Sequence, residues 1–120
     1  DAGKALAAGA SAIVVSHHGG SVIDYAVPPL MILPRIIKLV GGLIPVFVDC
    51  GIASGADAFK ALALGANAVC VGRAVMGGLA ADGSEGVRKV LNGINEELRT
   101  IMSLTNSANL KEIDPSLIWR

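Results

Sequence analysis

Residues 57–71 read DAFKALALGANAVCV and residues 1–15 read DAGKALAAGASAIVV; the two stretches agree at 10 of 15 positions at an offset of 56 residues. Each runs from a short Ala- and Leu-rich helical pattern through a Gly-Ala turn into a β-branched run. An interval of that length holds two βα units. The pattern therefore recurs on every second strand, as in a (β/α)8 barrel whose alternate strands supply matching layers of side chains. Read locally, Lys-Ala-Leu-Ala-x-Gly-Ala is also a general way to end a helix and enter a strand.

Around the repeat, three runs are nearly continuously apolar: Ala12–Ser16 (AIVVS), Ile44–Asp49 (IPVFVD) and Ala68–Gly72 (AVCVG). Such runs predict strands buried on both faces, in a parallel sheet covered by helices. Helical patterns over Leu30–Val40 and Gly55–Leu64 lie between them, the second preceded by Ser54 as a cap. Strand starts about 32 and then 24 residues apart suit right-handed crossovers. A last helix over Glu85–Leu104 gathers Val87, Val90, Leu91, Ile94, Leu98, Ile101 and Met102 on one face, fit to wrap the outside of the sheet. The tail from Thr105 reads as an irregular surface segment held by Leu110, Ile113 and Ile118. The expected fold is α/β, with residues 1–120 forming one unit.

Composition narrows the function. The 120 residues carry 10 Lys+Arg against 10 Asp+Glu, a balance that argues against a nucleic-acid partner because phosphate backbones demand surplus cations. Membrane insertion is not expected either: the most apolar stretch, Ala26–Val40, is interrupted by Pro28, Pro29, Pro34, Arg35 and Lys38. The chain opens on Asp1 rather than Met and has no basic-then-apolar leader, so we expect further sequence upstream. Cys50 and Cys70, in apolar surroundings, read as reduced thiols of a cytoplasmic protein.

In parallel α/β folds ligands gather beyond the carboxyl ends of the strands. Here those ends read Ser16-His17-His18-Gly19-Gly20-Ser21, Asp49-Cys50-Gly51-Ile52-Ala53-Ser54-Gly55 and Gly72-Arg73-Ala74. Gly51 and Gly55 leave backbone N–H groups free to approach an anion at the next helix start, and Arg73 adds a bidentate cation beside them. Together they suggest a phosphate cup; the plainer reading is two tight turns and a surface arginine. Of the adjacent histidines, strand alternation turns at most one into the pocket, where it could serve as general acid or base. Taken alone, a His-His-Gly-Gly turn is more often structural. No Asp, Glu or Cys stands at ligand spacing beside the pair, so no metal is expected. A carboxylate at the end of a buried strand, as at Asp49, must find donors.

These strand ends, with AIVVSHHGGSVID and PVFVDCGIASGADAFKALALGANAVCVGRAVMGGLAADGSEGVRKVL, resemble the C-terminal half of the FMN-dependent α-hydroxy-acid oxidase and dehydrogenase family. The resemblance runs from residue 1 to about 115. It implies a (β/α)8 barrel of which this chain supplies strands six to eight. It also implies FMN as cofactor and a small 2-hydroxy acid as substrate. By the same resemblance His18 is the catalytic base, Ser16 contacts the flavin and Asp49 lies near the ribityl chain. Gly51, the Ala53 backbone, Gly72 and Arg73 hold the phosphate.

The chain departs from that family where His-Gly-x-Arg would place a carboxylate-clamping arginine: the position is Ser21. His17 stands for the family's usual Asn, and Ala53 and Ser54 stand for a pair of arginines. Serine has neither charge nor a bidentate fork, which lowers the expected affinity for a carboxylate. A half-barrel would expose parallel edges and an apolar inner face, so we expect self-association or pairing with an N-terminal half. Two other readings remain: another FMN barrel such as a type 2 isopentenyl-diphosphate isomerase, and a non-catalytic flavin- or phosphate-binding module.

Overall fold

The computed structural model describes residues 1–119. Helix α1 (Ala2–Ala7) leads into strand β1 (Ile13–Val15), α2 (Pro29–Val40) into β2 (Val46–Val48), and α3 (Gly55–Ala63) into β3 (Ala68–Val69); α4 (Arg73–Leu104) follows. The strands are shorter than their apolar runs, but their order β1-β2-β3 and parallel pairing are those expected. Pairing puts Val14, Phe47 and Ala68 in one row across the sheet.

The internal repeat survives as hydrogen bonding. In the first copy the N–H groups of Ala8, Gly9 and Ala10 donate to the carbonyls of Lys4, Leu6 and Ala5; in the second, Leu64, Gly65 and Ala66 donate to Lys60, Leu62 and Ala61. Both copies are Schellman stops. Each needs glycine in the left-handed region, met by Gly9 at φ 84° and Gly65 at φ 102°. Because the two copies feed β1 and β3, with β2 between, the repeat falls on alternate strands.

One face of the sheet is covered. Val15, Val46 and Val48 are buried with Leu33 and Val40 of α2 and Ala58 and Ala61 of α3. The other face is not, unlike strands covered on both sides but as expected of the inner face of a half-barrel: Val14 is 52% exposed, Ala68 is exposed and Phe47 only half-buried. The core on the Val15 face is built from α2, α3 and α4, so the apolar row Val14–Phe47–Ala68 lacks a covering layer within the described residues.

The long α4 exceeds the expected Glu85–Leu104. It starts at Arg73 and breaks at Asp82 (φ −153°, ψ 33°) and Gly83 (φ 54°, ψ −139°), giving two arms that fold against each other. Gly78 and Gly86 make the fold possible, since a Cβ on Gly86 would stand 1.9 Å from the Gly78 carbonyl oxygen. Lys89 Nζ donates to Asp82 Oδ2 at 2.7 Å across the break. Glycines discourage a helix locally, and the close approach they allow is visible only in three dimensions. Beyond α4, Ile113 is buried against Phe59 and Ala63 and Ile118 packs beside it, as expected. Leu110, expected to help hold the tail, is 51% exposed and belongs to neither core cluster.

Candidate functional site

The ends of the three strands open on a common cavity of about 370 Å³, lined by His18 and Gly19 after β1, residues 49–53 after β2 and residues 70–74 after β3. It gathers His18, Asp49, Gly51, Ala53, Gly72 and Arg73 from three turns separated along the chain. Ser16 lies instead on a second cavity of about 520 Å³, shared with His17, His18, Val22, Ile23 and Ala26. Ser21 lines neither; its Oγ donates to the His18 carbonyl oxygen at 2.6 Å.

His18 therefore stands between two cavities. It holds φ 57° in a short 3-10 turn (His18–Gly20), so its backbone has already left the extended geometry of β1. For that reason strand alternation does not govern the pair: both histidines line the second cavity, and His18 lines the first as well. His17 Nδ1 is buried with no hydrogen-bond partner among the described residues. Ser16 Oγ accepts the His18 N–H at 3.1 Å, folding the turn back over the strand end.

The phosphate-cup expectation is redirected by the geometry. Helix α3 cannot offer its N-terminus to a ligand, because that end is already closed from within. Ser54 Oγ accepts the Asp57 N–H at 3.1 Å, and Glu97 accepts the N–H groups of Gly55 and Ala56 at 2.8 and 3.3 Å. The Ala53 N–H is likewise given to Asp57 Oδ2 at 3.2 Å. Gly55 serves packing: a Cβ there would meet Leu98 N at 2.3 Å. Gly55 thus does not supply the free donor expected of it.

Helix α4 is the opposite case. Its N-cap is Gly72, with no capping side chain, no acidic residue in the first turn, and Arg73 as the first helical residue. Among the described residues, nothing but its chain neighbours stands within 4 Å of where a Gly72 Cβ would project. An uncapped N-terminus carries unsatisfied N–H groups and a partial positive charge, and here a guanidinium is added in a cavity open to ligand. These residues fit a phosphate group. The Arg73 side chain also reaches the His18 turn, where a Cβ on Gly19 would lie 3.7 Å from Nη2.

Two residues escaped sequence reasoning. Cys50, read as a thiol in apolar surroundings, holds φ 67°; its Sγ donates to Asp49 Oδ1 at 2.8 Å and accepts the Gly19 N–H at 3.1 Å. The only signal was its place between a buried strand and a glycine turn. Glu97 gave none, since its partners are 42 and 41 residues away. The pKa of Asp57 has competing causes. Burial pushes it up, but hydrogen bonds from the Ser54 hydroxyl and the Ala53 N–H, the charge of Lys60 and the Ser54 N–H outweigh that and leave it below 3.8.

Comparison with known proteins agrees with the fold. A family model described as FMN-dependent dehydrogenase matches residues 1–120. A 2-hydroxyacid oxidase of Dictyostelium discoideum is 48% identical over 119 residues, covering 99% of this chain and 31% of that protein. The glycolate oxidase of Spinacia oleracea is 46% identical over 118 residues, covering 98% and 32%. Among solved structures, a mandelate oxidase with (S)-2-phenylpropionate superposes with a TM-score of 0.92 at 48% identity, over 96% of this chain and 34% of that one. The chain thus spans about a third of the length of the curated relatives it matches. Its three βα units are those of a (β/α)8 flavoenzyme barrel.

Proposed function

The chain belongs to the FMN-dependent dehydrogenase family, and from that premise we propose that it forms the base-bearing and phosphate-holding part of an FMN-dependent oxidoreductase acting on a small 2-hydroxy acid. The observation that carries this reading is the shared cavity: His18 after β1 and the uncapped, Arg73-bearing start of α4 after β3 face one space. A general base and an anion site on the same face are what such a reaction asks of these strand ends.

When bound, FMN supplies the two-electron acceptor. The work of the chain's own residues follows from position. Arg73, the Gly72 backbone and Gly51 would hold the FMN phosphate. Asp49, at the end of β2 on the cavity wall, would meet the ribityl chain, as the family resemblance implies. Ser16 fixes the backbone of His18, and the His18 imidazole removes a proton from the substrate. Ser21 is neutral and turned to the His18 carbonyl, so a substrate carboxylate must be met by a cation elsewhere. Among the described residues Arg73 is the one Lys or Arg on the first cavity's wall, and it is taken by the phosphate, so that cation would come from outside them. The apolar row Val14–Phe47–Ala68 supports pairing with the remainder of such a barrel or with a second copy.

The test is made on the full-length protein. It should bind FMN with the flavin absorption band, and a 2-hydroxy acid should bleach that band. His18→Ala should keep the band and slow bleaching by about 10²- to 10⁴-fold. Protein that stays colourless at saturating FMN overturns the cofactor reading; flavin that no 2-hydroxy acid reduces leaves a binding module.

A further inference from the structure

The turns after β1 and β2 are joined through a single thiol. Cys50 Sγ donates to Asp49 Oδ1 at 2.8 Å, accepts the N–H of Gly19 at 3.1 Å and lies 3.6 Å from Ser16 Oγ. Ser16 Oγ in turn accepts the N–H of His18 at 3.1 Å. The N–H groups of two successive residues of the histidine turn, His18 and Gly19, are thus both held in one network that ends on the Asp49 carboxylate, through Cys50, 31 residues from Gly19.

The backbone at Cys50 gives this network its meaning. At φ 67° it occupies the left-handed region, which disfavours any side chain and suits glycine. No atom outside its chain neighbours stands within 4 Å of a Cβ on the adjacent Gly51, so the turn itself leaves room. A cysteine that only filled space would gain nothing from being there. What it adds over glycine is the sulfur, which both donates and accepts where two strand ends meet.

We propose that the Ser16–Cys50–Asp49 network is a positioning device for His18, holding the imidazole-bearing turn at a set distance from the end of β2. The inference rests on the reading of His18 as base. Cys50 touches no reacting atom in this role; it acts through Gly19 and Ser16 on the alignment of its neighbour, and misplacement by an ångström at such a group slows a reaction strongly.

A positioning role and a merely structural one predict opposite outcomes for Cys50→Gly. Glycine relieves the left-handed backbone, so the variant should fold with a thermal midpoint equal to or above that of the parent. In the full-length FMN-loaded protein, the Gly19 amide should then exchange with solvent at least about tenfold faster, and kcat should fall about tenfold with KM unchanged. Flavin absorption should stay the same. Cys50→Ser, which keeps a donor and acceptor, should restore both amide protection and kcat. Parental Gly19 exchange in Cys50→Gly, or a kcat loss that tracks a lowered midpoint, overturns the proposal. His18→Ala separates the two readings. If it keeps full turnover the base assignment fails, while Gly19 exchange still decides whether the network holds the turn.

Discussion

The carboxylate of Glu97, on the second arm of α4, accepts the N–H of Gly55 at the start of α3 at 2.8 Å. It also takes the Ala56 N–H at 3.3 Å, so an internal anion occupies the helix end where sequence patterning suggests a phosphate. Charge at a helix N-terminus and charge-assisted bonds to N–H groups both stabilise. Glu97→Gln should cost about 1 kcal/mol in urea unfolding, by the usual size of such helix-terminus charges. An unchanged midpoint would show that these bonds contribute nothing.

Gly55 lets that contact form. With Leu98 N at 2.3 Å and Ile94 O at 2.7 Å from an added Cβ, both backbone atoms, α3 and α4 must separate to accept alanine. Gly55→Ala is expected to lose at least about 2 kcal/mol, in the range of overpacking strain. Gly86→Ala should behave the same way against the Gly78 carbonyl.

Below its ordinary range, the Asp57 carboxyl makes acid stability testable. A carboxyl whose folded pKa is lowered contributes stability above its unfolded value, near 3.8, and that contribution is lost as pH falls through the folded pKa. Asp57→Asn should therefore be less stable than the parent at neutral pH, and the two should converge in strong acid. Urea midpoints across that range decide it; a gap that persists at the acid end would mean the charge is not the cause.

The start of α4, rather than of α3, should govern anion affinity. Arg73→Ala is expected to weaken FMN binding about 10- to 100-fold in fluorescence titration, as loss of a charge-assisted contact does. Ser54→Ala, at the closed end of α3, should leave FMN affinity untouched while lowering stability by about 1 kcal/mol. Equal effects of the two on affinity would return the phosphate to α3.

Much of this was legible in the residues. The 56-residue repeat became two identical helix stops on alternate strands, because Gly9 and Gly65 act through bonds spanning five residues or fewer. The three polar strand ends were legible for a similar reason: parallel strands must leave the sheet on one side, so their turns collect there whatever the details.

What lay beyond the residues alone was every contact between distant segments. Cys50 and Glu97 look ordinary in the chain, and only folding brings one to Gly19 and the other to Gly55. The continuous apolar runs alone could not say that one face of the sheet is bare, because such a run records what a strand can bury, not which layers are present; the resemblance to half a barrel could. Sequence by itself therefore determined the order of strands, the helix stops and the side on which chemistry collects. Tertiary structure decided which helix end stays open to an anion, since a closing carboxylate can arrive from any distance along the chain.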